Sequence, residues 1–576
     1  MRSKIYSTII SIAFIILFFT IFYLQIIRWP TYHVLSQKNH IRLVPLEGLR
    51  GTIYDRNGLP LVDNRLSFDV IVLPQEIEDE DKTFSRVAKV IGVSKEDIKM
   101  TLEKEYQAPF APITIARDIN RETAFILEEI KQDIPGILVQ SRALRWYIYN
   151  ESASHIIGYL SLINKEELGR LRDYGYTMRD LVGRSGVERV YDRYLKGEDG
   201  GMQLEVDAVG RLVRTLGTKI PKKGRDITLT VDARLQSCVS EFLADLKGAV
   251  VVMDPNNGDI LAMASGPSFD PNVFIDPNES RTATALLRSR AHPMINRAIN
   301  GQYPPGSLFK IIVALAGLET KKITEHSSFN CVGKYMVGNI EFDCWKKGGH
   351  GLQNLREGLI HSCNIYFYNL GRKLGPDVLA EYAYKFGLGK STRIDLPNEG
   401  KGFVPTVWWK KTAKGENWYD GETVNYSIGQ GYLLVTPLQM AQVISIFATE
   451  GNIPRPHLIK KIGDSGIIAP KPKTLHISKD NVRIIKEALI QIVDSETGTG
   501  QRARVEGLKI AAKTGTAQNP QGEPHAWFLG YAPADNPKIA FVVLVEHGGK
   551  GGLSAADLSK RILEFIRDNT EILKGS

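Results

Sequence analysis

Apolar positions recur along the chain in three rhythms. Residues 5–27, IYSTIISIAFIILFFTIFYLQII, carry no charge at all. As a helix that stretch would span roughly 34 Å at about 1.5 Å per residue, enough for the core of a bilayer. From Arg28 to about Gly224 the pattern is mixed and charged. RGTIYDRNGLPLVDN (50–64) predicts a strand, a turn at Asn57-Gly58 and a second strand. SKEDIKMTLEKEY (94–106) and NRETAFILEEIKQD (120–133) predict surface helices with polar faces, and GRSGVERVYDRYLKGEDGG (183–201) a short helix and a turn.

The rhythm changes after PKKGRD (221–226). DITLTVD reads as a strand and ARLQSCVSEFLADL as a helix. GAVVVMDPNNGDILAMAS (248–265) is a hairpin around Asp254–Gly258 with two apolar strands. Helices then dominate to about residue 500. In SKDNVRIIKEALIQIV (478–493), Ser478 is placed to cap, and Val482, Ile485, Leu489 and Ile492 share a face. Strands return in LKIAAKTG, HAWFLGYAP and KIAFVVLVEHG, and LSAADLSKRILEFIRDN closes as a helix. Strands at both ends with helices between predict an α+β fold, one antiparallel sheet built from the two ends and covered by helices.

At 576 residues the chain is too long for one compact domain. Arg2 and Lys4 before the apolar run favour a cytoplasmic N-terminus, and no small-x-small cleavage site follows it. The expected organisation is a cytoplasmic tail (1–4), an uncleaved signal anchor (5–27), an N-terminal domain (28–222) and a second domain (223–576) on the outer side of the cytoplasmic membrane. The net charge of +9 is spread along the chain. It favours contact with anionic lipid or polymer and does not argue for nucleic acid.

Candidate chemistry centres on YPPGSLFK (303–310). Ser307 is placed to cap the helix 308–319, LFKIIVALAGLE, which is apolar nearly all round and so buried. Lys310 lies one turn on, on the same face as Ser307. A buried lysine loses charge stabilisation, its pKa falls, and it becomes a base that can activate a serine without a histidine. HSCN (361–364) and KTGT (513–516) follow. Serine-x-x-lysine, serine-x-asparagine and lysine-threonine-glycine together are the signature of penicillin-binding proteins and class A β-lactamases. A second serine-x-asparagine, Ser328–Asn330, is discounted because HSSFNC lacks the helical pattern of LREGLIHSCNIYFYNLG.

With RGTIYDRNG, GRSGVERVYD, MDPNNGDILAMAS, INRAINGQYPPGSLFK and IGQGYLLVTPLQMA, the chain resembles a class B penicillin-binding protein over essentially its whole length. WYDGETVNYSIGQGY (418–432) and DCWKKGGHG (343–351) are similar to the elongation-type branch, penicillin-binding protein 2. The resemblance implies a pedestal domain at 28–222 and a D,D-transpeptidase domain with a serine β-lactamase-like fold at 223–576. It implies that Ser307 attacks the D-alanyl-D-alanine carbonyl of a stem peptide and Lys310 takes its proton. Ser362 would relay a proton to the leaving amine, Asn364 would hold the peptide amide and steady Lys310, and Lys513 would supply positive charge. Thr514 and Thr516 would contact the substrate carboxylate, and Gly515 would let the strand approach the substrate. Backbone N–H groups of Ser307 and Thr516 would form the oxyanion hole. Implied ligands and partners are stem peptides, β-lactams, a SEDS-type glycan polymerase (RodA-like) and an MreC-like protein.

Three of the four cysteines, Cys331, Cys344 and Cys363, share a segment with His350. Three thiolates and an imidazole suit structural zinc. The resemblance supports it, since members of the elongation-type branch carry a zinc site in this region, usually with aspartates at some positions. A Cys331–Cys344 disulfide and unrelated buried thiols are the other readings. Cys238 is expected in the core, and His525 is expected to be structural. A D,D-carboxypeptidase or β-lactamase would share the acylation residues, and a non-catalytic penicillin-binding scaffold is the alternative outside enzymes. The long pedestal and the intact Ser307–Lys310 pair favour the transpeptidase.

Overall fold

A computed structural model of the chain describes residues 2–32, 41–106, 112–178, 180–206, 212–467 and 469–573. Met1 of the expected tail, and 33–40, 107–111, 179 and 207–211 of the expected pedestal, lie outside those residues, as do 468 and 574–576. The chain divides into two compact units: residues 1–50, 65–144 and 196–224 form one, and 51–64, 145–195 and 225–576 the other.

The first unit contains the apolar N-terminal helix, Arg2–Phe22, which continues as a π-turn over Tyr23–Ile27. The span Ile5–Ile27 has a mean hydropathy of 2.5 and none of it is buried against protein. Among the described residues it is the one helix long and apolar enough to cross a membrane. Ile41–Leu46, Gly200–Val206 and Leu212–Lys219 form a three-stranded antiparallel sheet. A separate small core gathers Val70, Val72, Phe84, Val87, Ile98, Leu127 and Ile137. The helices Glu80–Ile91, Lys95–Glu105 and Arg121–Glu129 that close it are capped by Asp79, Ser94 and Asn120. Each cap side chain accepts a backbone N–H that the first turn leaves orphaned.

The second unit is built on the expected sheet. β1 (Gly248–Met253) and β2 (Ile260–Gly266) pair with β3 (Ala511–Ala517), β4 (His525–Ala532) and β5 (Ile539–Val545) in the antiparallel order β2-β1-β5-β4-β3. β5 shows why its sequence is an unbroken apolar run. Ala540, Val542 and Leu544 face one core, and Ile539, Phe541, Val543 and Val545 face another. Helices cover both faces, so alternation disappears. The first core includes α1 (Lys310–Glu319), α2 (Leu355–Ile360), α3 (Asn364–Leu374), α5 (Pro437–Ala448) and α6 (Lys479–Asp494), with α4 (Asp420–Ser427) packed beside α3. The second includes the helix Ala233–Phe242 and α7 (Ser554–Asn569). Ser478 caps α6 by accepting the Asn481 N–H. The segment between α1 and α2 carries two small hairpins, Phe329–Cys331 with Gly351–Gln353 and Lys334–Val337 with Ile340–Asp343.

One local expectation fails. Ser307 does not cap a helix over 308–319. The chain enters α1 through a 3₁₀ turn over Gly306–Phe309, with Pro305 at the cap position and no side-chain cap bond. Pro305 has already adopted helical dihedrals, so Ser307 sits inside the first turn and its hydroxyl is not committed to backbone donors.

Candidate active site

The turn that carries Ser307 is wedged against the edge strand of the sheet. Gly306 has φ +56°, and a Cβ on it would lie 2.6 Å from the Thr516 carbonyl oxygen. Only glycine allows that approach. Trp527 of β4 donates its indole N–H to the Pro304 carbonyl at 3.1 Å, fixing the Pro-Pro-Gly approach. Leu308 then packs on Gly515, where a Cβ would meet the Leu308 side chain at 2.9 Å. Gly515 therefore also has a packing role that sequence reading missed. Ser307 is half-buried, and Lys310 is fully buried.

Ser362 occupies the turn between α2 and α3 at φ +50°, a left-handed conformation costly for a non-glycine residue, and is 5% exposed. That turn delivers its hydroxyl between two ammonium groups. Lys310 Nζ donates to Ser362 Oγ at 3.3 Å, and Lys513 Nζ, from the middle of β3, donates to it at 3.0 Å. Lys310 Nζ also donates to the Ser362 carbonyl at 2.9 Å and to Asn364 Oδ1 at 2.7 Å, and it faces the Phe367 ring. These bonds occupy the ammonium, and none of them goes to Ser307 Oγ. Burial lowers the Lys310 pKa to about 8. Burial, and then the nearby Lys310 charge, hold Lys513 well below the ordinary lysine range. Two buried lysines sharing one hydroxyl repel, so the cluster favours a neutral amine on one of them.

Thr514 is buried and donates to Thr499 Oγ1 at 2.9 Å, whereas Thr516 is exposed and accepts from the Gly551 N–H at 3.3 Å. Neither Thr499 nor Gly551 was legible as a neighbour of the site. A Cβ on Gly551 would lie 2.0 Å from the Gly515 carbonyl, the kind of close backbone approach that leaves no periodic signal. The loop after α4 was also missed. Its Gly429 carbonyl accepts the Gly306 N–H at 3.0 Å, next to the nucleophile. Ser328 and Asn330 lie on the outer hairpin, where Ser328 bonds only to the His326 carbonyl at 3.0 Å, apart from this cluster. Cys238 is buried in its helix. His525 stands at the start of β4, its Nδ1 accepting the His547 N–H at 3.2 Å.

Beside Ser362, the donor atoms of Cys331, Cys344, His350 and Cys363 all lie within 4.8 Å of one another, a group that could hold a metal ion. All four cysteines of the chain are free thiols here. His350 Nδ1 is 3.5 Å from both Cys331 Sγ and Cys344 Sγ, and its Nε2 is buried with no partner. Cys344 is pushed towards the thiolate by a hydrogen bond from Cys363, which is pushed towards the thiol in turn. Tetrahedral bonds of about 2.0–2.3 Å place ligand atoms roughly 3.3–3.8 Å apart, so the donor set fits with small adjustments. Three soft sulfurs on buried cysteines and a nitrogen of the half-buried His350 make a four-donor set that matches a structural ion rather than a catalytic one with an open position.

The chain matches two described families: the penicillin binding protein transpeptidase domain over residues 248–564 and the penicillin-binding protein dimerisation domain over 45–229. It is 33% identical over 579 residues to the peptidoglycan D,D-transpeptidase MrdA of Haemophilus influenzae, covering 96% of this chain and 89% of that one. It is 34% identical to the protein of the same name from Acinetobacter baumannii, covering 94% and 84%. Among solved structures it is similar to Helicobacter pylori PBP2 in complex with MreC, with a TM-score of 0.81 and 29% identity, covering 92% and 99%. It is also similar to Pseudomonas aeruginosa PBP2 in complex with WCK 5153, with a TM-score of 0.71 and 30% identity, covering 92% and 97%. A chain of a peptidoglycan synthase complex that coordinates polymerization and crosslinking gives a TM-score of 0.76 at 29% identity, covering 98% and 97%.

Proposed function

The chain belongs to the class B, elongation-type penicillin-binding proteins, serine-type peptidoglycan D,D-transpeptidases, and from that premise we propose how its own residues divide the reaction. Ser307 Oγ attacks the carbonyl between the two terminal D-alanines of a donor stem peptide, and Lys310, as the neutral amine, takes the proton. The bond to D-alanine breaks, and Ser362 passes a proton to the leaving amine along the Lys310–Ser362–Lys513 chain. An amine of a second stem peptide attacks the acyl-enzyme, the ester to Ser307 breaks, and a cross-link forms. Asn364 orients Lys310 and the donor amide, while Lys513, Thr514 and Thr516 bind the terminal carboxylate. The backbone N–H groups of Ser307 and Thr516 stabilise the oxyanion; losing one such donor costs about 3–4 kcal/mol. The observation that carries this reading is the buried hydrogen-bonded cluster of Lys310, Ser362, Asn364 and Lys513 beside a half-buried, uncapped serine. Intact mass after benzylpenicillin tests it. An adduct persisting for hours supports a transpeptidase, whereas one lost within minutes supports the hydrolase reading.

Acylation should rise with pH. Below about 8 most Lys310 is protonated and cannot accept the Ser307 proton. The second-order rate constant should therefore climb close to tenfold per pH unit on the acid side and level off above about 8. A flat profile from pH 6 to 9 would remove Lys310 from the role of base.

Cys331, Cys344, His350 and Cys363 are proposed to hold zinc, whose contribution is a structural cross-link between the hairpin segment and the Ser362–Asn364 turn. The purified protein should contain one equivalent by elemental analysis. Cys344→Ser should reduce that content to near zero and lose roughly 2.7 kcal/mol or more of stability, the linkage expected at ~100-fold over Kd. Equal melting curves with and without the ion would reject the assignment.

Residues 1–4 are taken as a cytoplasmic tail, 5–27 as a signal anchor, 28–222 as the pedestal and 223–576 as the periplasmic transpeptidase domain. The two basic residues before the anchor support that orientation. A RodA-like SEDS polymerase and an MreC-like protein are the proposed partners, supported by the neighbours solved with MreC and within a synthase complex.

A further inference from the structure

The strap that delivers the nucleophile, Tyr303 to Gly306, is pinned by parts of the chain far from it in sequence. The Tyr303 backbone pairs with Val435 in both directions, its N–H donating to the Val435 carbonyl and its carbonyl accepting the Val435 N–H, each at 2.9 Å. The Trp527 indole holds the Pro304 carbonyl, and the Gly429 carbonyl takes the Gly306 N–H. Ser307 makes no cap bond of its own, so the place of its hydroxyl is inherited from the strap.

One pin runs through side chains. Tyr303 Oη donates to Glu546 Oε1 at 2.7 Å, and Arg297 Nε donates to the same oxygen at 2.9 Å. Glu546 directly follows β5, and its N–H donates to the Lys247 carbonyl at 2.7 Å, so its backbone is fixed to the sheet. Arg297 is held as firmly. Its other two guanidinium nitrogens donate to the His292 and Ala291 carbonyls at 3.2 and 3.1 Å, and its backbone N–H donates to Ser265 Oγ of β2 at 2.9 Å. The Arg297 and Glu546 side chains are 6% and 16% exposed, so their charge-assisted bonds are little weakened by water. A Cβ on Gly301 would lie 2.5 Å from Tyr303 Oη, so a glycine there leaves the phenol its path to the carboxylate. The Tyr303 ring meets His525 and Trp527 edge to face, with centroids 5.5 and 6.1 Å away. Burial, and then the Glu546 charge, raise the phenol's pKa well above its ordinary range, so it stays a donor. The Lys310–Ser362–Lys513 chain makes its bonds elsewhere, so this cluster has no part in the proton steps.

We propose that Glu546 is a positioning residue for the nucleophile: by receiving Tyr303 and Arg297 on one oxygen it fixes the strap, and hence the place from which Ser307 Oγ attacks. The inference rests on the transpeptidase reading above. Glu546 takes no proton and acts through Tyr303. A reacting atom misplaced by about 1 Å can lose roughly 10²-fold in rate, so a strap loosened at one of its pins should lose about tenfold.

The test uses the full-length chain in detergent and a fluorescent penicillin over a range of concentrations, which separates the limiting acylation rate from the half-saturating concentration. In that step Ser307 Oγ bonds to the β-lactam carbonyl carbon, the ring carbon–nitrogen bond breaks and the nitrogen takes the proton. Tyr303→Phe removes one hydroxyl and keeps the ring. Its limiting rate should fall about tenfold while half-saturation stays within about twofold of native, the split expected when placement and not binding is lost. Glu546→Ala should fall at least as far. The double variant should be no slower than Glu546→Ala alone, because both changes cut one path. Glu546→Gln keeps an oxygen that can accept from both donors, and it should recover most of the loss. Melting curves of each variant show that the folded protein is being compared. Should Glu546→Ala fail to fold, Tyr303→Phe and Glu546→Gln decide the matter. A limiting rate within about twofold of native in Tyr303→Phe, or a loss that lies wholly in half-saturation, overturns the proposal. Losses that multiply in the double variant overturn the route through Tyr303, and a folded Glu546→Gln as slow as Glu546→Ala overturns its basis in hydrogen bonds. Native protein that takes no label removes the transpeptidase reading and this inference with it, whereas normal labelling of both native protein and Tyr303→Phe removes the inference alone.

Discussion

Ser307→Ala should form no covalent adduct with benzylpenicillin under conditions in which the native protein is fully labelled. The expectation follows from the turn itself. Ser307 is half-buried and makes no cap bond, so its hydroxyl is available, while the neighbouring backbone is fixed by Gly306, Pro304 and Leu308. The substitution removes one oxygen from a site that does not rely on it for packing. Melting temperature and circular dichroism should stay close to native, so that loss of labelling reports chemistry alone. Intact mass after incubation is the measurement. A full adduct on the alanine variant would mean that another nucleophile is acylated, and the proposed mechanism would be abandoned.

Lys310→Met should slow acylation by about 10²–10⁴-fold, the range ascribed to a positioned general base. Methionine keeps most of the volume of a fully buried side chain, so the core around α1 should not collapse. It cannot accept a proton or satisfy the Ser362 carbonyl and Asn364 Oδ1, which now receive bonds at 2.9 and 2.7 Å. Leaving those acceptors bare costs roughly 1–3 kcal/mol each, partly offset because a charge no longer has to be buried. Lys310→Arg gives the sharper comparison. Arginine stays charged at every accessible pH, so it should be as slow as methionine if proton acceptance is what matters. Stopped-flow labelling with a fluorescent penicillin would measure both. Rates within tenfold of native for either variant would move the role of base to another group, with Lys513 the next in line through its bond to Ser362.

Much of this was legible in the primary structure because the information is local. The anchor is a run of apolar residues, and no tertiary contact is needed to recognise it. The sheet strands announce themselves as short apolar runs and the helix after Ser478 by its apolar periodicity, and a single sheet follows from strands lying at both ends of the domain. The residues around the serine could be picked out because each sits in a short motif. The cysteine and histidine group was visible for the same reason, as close spacing in one segment.

The sequence alone determined which residue types are present, where the regular elements run and which short motifs to watch. Tertiary structure decided the rest, because the site is assembled from three separate parts of the chain. The left-handed turn at Ser362, the choice of Lys310 to bond Ser362 and Asn364 rather than Ser307, and the 3₁₀ entry into α1 all depend on neighbours distant in sequence. So do the packing of Gly515 on Leu308 and the bond from Tyr303 to Glu546. Backbone-to-backbone approaches and buried charge pairs have no period in the sequence, because the energy that selects them comes from contacts made only after the chain has folded.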